Sequence, residues 1–238
     1  MKRLLAAGYD KIYQICPCFR AGERGERHLP EMTLLEWYTA HADYRDMMVH
    51  CEQLLKHVIT YLGLSGLHYQ GSAIDLEGSW PRLTVAEAFA RYGSQSVSRA
   101  LETGRFDEIM GLEIEPALGN AQPVFLYDYP AQCAALARRK ATDPDIAERF
   151  ELYIAGLELC NAFSELRDPV EQRARFKQVL DQRAAEGKTR YRQPETFLAT
   201  LADMPAAAGN ALGIDRLVML IADTARIDDV VSFIPEEL

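Results

Sequence analysis

Long apolar runs are missing from this chain: no stretch of its 238 residues approaches the ~18 consecutive apolar residues that a membrane-spanning helix needs. The opening residues, Met1 to Gly8, hold too short an apolar segment for a secretory signal. The expectation is a cytoplasmic protein with no membrane partner. Positive charge is also in short supply. Lys and Arg total 26 against 35 Asp and Glu, a net charge of −9. Such an acidic balance opposes extended nucleic-acid binding, which relies on protein cations displacing counterions from phosphates. The basic run Arg138-Arg139-Lys140 reads as a solvated surface turn. Cysteine is sparse: Cys16, Cys18, Cys51, Cys133 and Cys160 form an odd, scattered set. That pattern excludes a disulfide framework and points to reduced thiols. Cys16-Pro17-Cys18 lacks the spacing of about two to four residues, and the second pair, that a zinc site uses. In a strand the two would share a face and serve packing. What is present is 48% hydrophobic and 26% charged residues, the balance of a globular chain large enough for one full core.

Ile12, Tyr13, Ile15 and Phe19 form a β-favouring run; the polar stretch 21–30 interrupts it, and Met32, Leu34, Leu35, Trp37 and Tyr38 resume it. Two antiparallel strands joined by a long loop are predicted. A loop of about ten residues, against the ~2–5 of an ordinary hairpin, has a task of its own. The spacing of Tyr44, Met47, Cys51, Leu55 and Val58 predicts a helix over 43–62, capped by Asp43. Residues 67–77 read as a strand pair, and Thr84-Val85-Ala86-Glu87 as a capping box that opens a short helix. Further helices are expected over 95–114, 168–186, 193–202 and from Leu212 to Ala222, with a buried strand from Val124 to Tyr127 ending at Pro130. No linker or repeat interrupts the chain. One α+β domain over 1–238, with a mainly antiparallel sheet flanked by helices, is the expected architecture.

Arg20 ends the first predicted strand. An arginine there can clamp a phosphate or carboxylate through two parallel hydrogen bonds, which lysine cannot do. The loop after it would lie over a nucleotide, with Arg27 and His28 reaching its outer phosphates. In the next strand a period of two puts Glu36 and Tyr38 on one face with Met32 and Leu34. A carboxylate and a phenol together suit an ammonium ligand. Near the other end, Gly209-Asn210-Ala211-Leu212-Gly213-Ile214-Asp215-Arg216 sets glycines that let backbone approach a nucleotide just ahead of an arginine. A third cluster has Glu151, Glu158 and Glu165 recurring every seven residues, with Asn161 between them. On a helix they would share a face, but Phe150, Leu152, Ile154, Leu157 and Phe163 argue against a solvated stripe. Carboxylates inside so apolar a run are costly unless paired with cations. Two could hold magnesium together with substrate phosphates and the third an ammonium group, or internal arginines could satisfy all three.

Taken together, these segments resemble the class II aminoacyl-tRNA synthetases: Phe19 to His28 is similar to motif 2 of that family, and Gly209 to Arg216 to motif 3. Leu29 to Tyr38, Phe150 to Tyr153 and Glu158 to Leu166 resemble strands of the lysyl-tRNA synthetases in particular, and the likeness covers nearly the whole chain. It implies the class II synthetase catalytic core as fold, with ATP and Mg2+. It implies Arg20 and Arg216 as catalytic arginines, and ATP contacts from Arg20, Ala21, Gly22, Glu23, His28, Leu29, Met32, Glu158, Leu159, Gly213 and Arg216. Metal ligands would be Glu151 and Glu158. A lysine-type substrate would be held by Glu36, Tyr38, Asn161, Glu165 and Ala211, with Glu165 at its distal amino group. Two positions depart from the family pattern. Gly22 stands where a glutamate reads the adenine amino group, and Met32 where a phenylalanine stacks on adenine. Adenine recognition is then expected through backbone around Ala21, Gly22 and Leu29, with Met32 packing on the ring.

Ala211 stands where lysyl-tRNA synthetases have glycine. Alanine there resembles the branch of the family that lacks an anticodon-binding domain, adenylates lysine or (R)-β-lysine, and transfers it to a lysine side chain of elongation factor P. A methyl difference in a pocket is worth ~1–3 kcal/mol of discrimination. The resemblance thus implies elongation factor P as acceptor and speaks against tRNA. The family's motif 1, which builds its homodimer interface, and a substrate loop carrying a glutamate would both lie upstream of Met1, so an N-terminally truncated chain is expected. Two other readings stay open: a fragment of a lysyl-tRNA synthetase, and a non-catalytic binding paralogue, to which Gly22 and Met32 point.

Overall fold

The computed structural model describes residues 1–237. Helix α1 (Lys2–Ala6) leads into strands β1 (Lys11–Phe19) and β2 (Glu31–Ala40), then α2 (Tyr44–Tyr61) and the hairpin β3 (Leu67–Tyr69) and β4 (Ser72–Ile74). Strand β5 (Arg82–Thr84) is followed by α3 (Val85–Tyr92), α4 (Val97–Glu102) and α5 (Phe106–Ile109). The second half runs β6 (Val124–Pro130), β7 (Ile146–Ile154), β8 (Leu157–Ser164), α6 (Pro169–Ala185), α7 (Glu195–Thr200), β9 (Ala207–Gly213) and α8 (Ile214–Ile221).

Seven strands form one sheet in the order β1-β2-β9-β8-β7-β6-β5. Its junctions are antiparallel except for β5 with β6. The late strand β9 inserts between β2 and β8, which brings the two ends of the chain together at the centre of the sheet. Residues directly opposite in an antiparallel ladder face the same side, so the register assigns each side chain to a face. On one face Leu35, Leu212 and Cys160 lie in a row, and α2 covers that face with Tyr44, Met47, Met48, Cys51, Leu55 and Ile59. Asp43 caps α2 by accepting from the backbone of Arg45 and Asp46, while Asp46 returns a bond to the Asp43 backbone. Each fully buried methionine or leucine of this seam contributes roughly 1.5–3 kcal/mol over its exposed state. The opposite face carries Glu36, Ala211 and Asn161 in one row, and among the described residues no long helix lies across it. A second core gathers α3, α4 and α5 against β6, and a third seats Leu5 of α1 among Leu198, Leu201, Met204 and Ala207.

The predicted strands, the helices over 43–62 and 168–186 and the short helix opened at Thr84 all form. Three expectations need correction. The helix expected from Leu212 begins at Ile214, because Leu212 pairs with Leu35 and Cys160 and completes β9. The helix over 95–114 is broken at Gly104, whose φ of 67° leaves the right-handed helical region, and the chain resumes as α5 and a wide π-helical turn at Met110–Ile114. The helix over 193–202 shortens to α7 and a 3-10 turn. Arg138, Arg139 and Lys140 are not a free basic turn, since each pairs with a carboxylate: Glu148, Glu171 and Asp128 respectively. All five cysteines are free thiols, and the Sγ atoms of Cys16 and Cys18 lie 4.0 Å apart on one face of β1. No helix among the described residues is long and apolar enough to cross a membrane.

Candidate active site

The open face of the sheet is built from unlike neighbours. β2 presents Leu34, Glu36 and Tyr38; β8 presents Asn161 and Phe163; between them β9 offers only Gly213, Ala211 and Gly209. A strand of glycine and alanine between two strands of functional side chains makes a trough floor. Tyr38 depends on it directly: a Cβ at Gly209 would lie 2.4 Å from its ring and 2.8 Å from Glu165 Oε1. Burial, and the charges of Glu165 and Glu36, push the Tyr38 phenol well up, so it stays a hydroxyl donor. Gln14 of β1 donates to Glu36 Oε2 at 2.5 Å. Tyr38, Glu36, Asn161, Glu165 and Ala211 thus converge on one trough, although they come from three separate strand segments.

Beside the trough opens a cleft bounded by the 21–30 loop, β8 and the start of α8. Arg20, Glu23, His28, Met32, Glu158 and Arg216 line it. Leu29, Leu159, Asn161, Ala211 and Gly213 complete the overlap with the sequence-derived set; Ala21 and Gly22 lie outside this lining. Gly22 turns the loop at a φ of 80°, and the next residue, Glu23, meets Arg20 at 3.4 Å. Arg216 is fixed through all three of its guanidinium nitrogens. Nη1 donates to the Glu158 carbonyl at 2.7 Å, Nε to the Arg27 carbonyl at 3.2 Å, and Nη2 lies 2.7 Å from His28 Nε2. Burial and the Arg216 charge depress the His28 pKa, so its Nε2 accepts from Arg216.

The three glutamates lie on a hairpin rather than a helix. Ala155 and Gly156, with φ of 51° and 70°, make the two-residue turn between β7 and β8. Tyr153 pairs with Glu158 while Leu152 pairs with Cys160, so Leu159 is an extra residue in β8. Such a bulge re-aims side chains, and it brings Glu158 to the same face as Asn161 despite their odd separation. Glu165 follows β8 and is buried beside Tyr38.

Glu151 and Glu158 sit in contrasting surroundings. Glu151 is buried and its two oxygens accept four bonds: Oε1 from Arg149 at 2.6 Å and Asn161 at 3.1 Å, Oε2 from Tyr129 at 2.5 Å and Tyr153 at 2.7 Å. Arg149, which sequence reasoning did not single out, also donates to the Asn161 side chain and stacks over Tyr129 at 4.4 Å. Its alternation with Glu151 along one strand was the available signal. The Glu158 side chain keeps 36% of its surface open to the cleft, yet protein surrounds it. Burial and the neighbouring Glu151 push its carboxyl up to about 7, with Arg216 and Arg149 acting against them. Magnesium usually takes one or two carboxylates plus phosphates and waters. Glu158 suits that role as it stands, whereas Glu151 could join only by releasing a donor. No group of three His, Cys, Asp or Glu side chains is placed for a metal among the described residues, so this donor set fits a metal carried in on phosphates.

The cleft therefore offers two arginines and one open carboxylate, next to a trough that has paired carboxylates and a phenol. Residues 1–237 match the family model described as "tRNA synthetases class II (D, K and N)". Among curated relatives, the lysine–tRNA ligase of Moorella thermoacetica is 40% identical over 98% of this chain and 52% of its own length. That of Pelotomaculum thermopropionicum is 38% identical over 98% and 51%, and a Staphylococcus aureus lysine–tRNA ligase 35% over 98% and 51%. The chain spans about half the length of the curated relatives it matches. With both signature arginines on one cleft and the family model matched nearly end to end, the chain belongs to the class II tRNA synthetases of the D, K and N type.

Proposed function

We propose that the chain is the catalytic core of an ATP-dependent ligase that activates lysine or β-lysine as its adenylate. The single observation that carries this reading is the alignment of Glu36, Ala211 and Asn161 in one row of the sheet, beside a cleft lined by Arg20 and Arg216. The amino-acid carboxylate attacks the α-phosphorus of ATP; the bond to the β-phosphate oxygen breaks, and pyrophosphate leaves with its electron pair. No general base is needed, because the attacking carboxylate is already ionised. Arg20 neutralises charge at the α-phosphate and the arriving carboxylate, and Arg216 at the departing pyrophosphate. Positioning and charge stabilisation supply the rate. Magnesium bound at Glu158, with Glu151 behind it, would add positive charge to the phosphates. Asn161 and the small β9 residues hold the amino acid's backbone end, and Glu36, Tyr38 and Glu165 its ammonium groups. Met32 and Leu29 pack against the adenine, with Glu23 at its edge.

Ala211 supports a protein acceptor, the activity of an elongation factor P–(R)-β-lysine ligase. Its methyl group sits on the trough floor between Glu36 and Asn161, where it narrows the space left for the α-amino group. A second reading, the catalytic core of a lysyl-tRNA synthetase, is favoured by the relatives' own activity as lysine–tRNA ligases. Pyrophosphate exchange with α-lysine, β-lysine or no amino acid tests the activation step, and absence of exchange with either amino acid sinks it. Transfer of labelled amino acid to elongation factor P or to tRNA separates the acceptors. Ala211→Gly is expected to shift the ratio of kcat/KM for β-lysine over α-lysine toward α-lysine by roughly 10- to 200-fold.

A further inference from the structure

The trough already contains an ammonium group belonging to the protein. Lys2 Nζ of α1 lies 2.5 Å from Glu165 Oε2, and the two side chains are only 13% and 1% exposed. The same nitrogen stands 5.2 Å from the centre of the Phe163 ring. Leu5, wholly buried among Leu198, Leu201, Met204 and Ala207, anchors α1 and hence this lysine. The contact is a close ion pair. Oε1 lies by Gly209 and the Tyr38 ring, where a Cβ on Gly209 would come within 2.8 Å of it. Glu165 therefore has one oxygen engaged by the α1 lysine and one buried oxygen without a hydrogen-bond donor among the described residues, beside Gly209 and Tyr38.

We propose that Lys2 is a positioning residue for the amino-acid substrate: its ammonium holds Oε2 of Glu165 within the trough and leaves Oε1 to receive the distal ammonium of a lysine-type amino acid. The inference rests on the lysine-activating reading above. One carboxylate has lone pairs enough for two ammonium groups, and a buried carboxylate without a cation keeps its proton. The titratable groups facing Glu165 are Lys2 from α1 and Glu36 and Tyr38 from β2. From β9 and the 134–137 loop, Gly209, Ala207 and Ala137 meet it, and none of these titrates. Burial pushes the Glu165 carboxyl up, Lys2 opposes it and Glu36 adds to it. Without Lys2 the proton stays on Glu165 to higher pH, and a protonated Glu165 gives an ammonium no charge to bind.

The test is pyrophosphate exchange by the wild type and by Lys2→Met, Lys2→Gln and Lys2→Arg, across roughly pH 6 to 9, with lysine binding followed by calorimetry. Lys2→Met and Lys2→Gln are expected to raise the KM and Kd for lysine about tenfold or more near neutral pH. The KM for ATP stays unchanged, kcat at saturating lysine changes much less, and the deficit shrinks as the pH rises. Lys2→Arg restores most of the affinity. In a Glu165→Gln background, Lys2→Met has no further effect. A KM for lysine that is unchanged, or one that falls because Lys2 had competed with the substrate, overturns the proposal. A folded wild type that exchanges with no amino acid overturns the underlying reading as well; normal exchange with unaltered Lys2 variants overturns this inference alone.

Discussion

Arg20 and Arg216 reach the same cleft from opposite ends of the chain, yet they are held differently. The Arg20 side chain is 60% exposed, and its one ion pair among the described residues is with Glu23, at 3.4 Å. Arg216 is 19% exposed and tied to two carbonyls and His28. Replacing either with lysine keeps the charge and removes the fork. Each is expected to lower kcat for pyrophosphate exchange by roughly 10²-fold, the size of losing one donor to transition-state charge. Arg216→Lys should also lower the midpoint of urea unfolding, while Arg20→Lys should leave it in place. Glu158 gives a stability signature. Its carboxyl holds a proton more tightly in the folded chain than in the unfolded one, so between about pH 4.5 and about 7 the folded state loses stability as the pH rises. Urea midpoints of the ligand-free chain at about pH 5 and about pH 8 read that loss, and Glu158→Gln should flatten part of it. An equal slope in wild type and variant would count against the raised carboxyl. Both arginines were legible from sequence. The state of Glu158 was not, because it is set by burial and by Glu151 and Arg149 of β7 and Arg216 of α8, which the fold brings to it.

Hydrophobic patterning located the elements, and strand pairing decided what they present. The seven-residue spacing of Glu151, Glu158 and Glu165 imitates a helical stripe, yet the residues divide between β7, β8 and the segment after β8. The turn at Ala155 and Gly156 and the bulge at Leu159 re-aim them. A one-residue bulge leaves no compositional mark, so the spacing of the three glutamates does not show how they are aimed. Strand β9 shows the reverse case: its glycines were visible in the sequence, but their task as a floor beneath Tyr38 needed β2 and β8 alongside. Gly209→Ala puts a methyl group 2.4 Å from the Tyr38 ring. The ring must shift, so the KM for lysine is expected to rise about tenfold or more, with the KM for ATP little changed. Equal losses for both substrates would point to a general disturbance of the sheet instead.

Over the whole molecule, the insertion of β9 between β2 and β8 joins the two halves of the site, and the acidic charge bears on the acceptor. With a net charge of −9, and with Arg138, Arg139 and Lys140 each paired to a carboxylate, the chain should bind bulk tRNA weakly and with a shallow salt dependence. Filter binding between roughly 0.05 and 0.2 M salt measures this; a steep slope would favour the tRNA reading over elongation factor P. By itself the sequence determined the strands, the α2 helix with its Asp43 cap, both signature arginines and the paired carboxylates and phenol of the trough. These follow from local periodicity and from residue types that suit one chemistry. Only the tertiary structure decided that Glu151 is saturated by four donors while Glu158 stays open, that Arg149 organises them, and that Lys2 pairs with Glu165. Each of those depends on contacts between residues far apart in the chain, so no local pattern records it. The ladder register and the packing of α1 supply them.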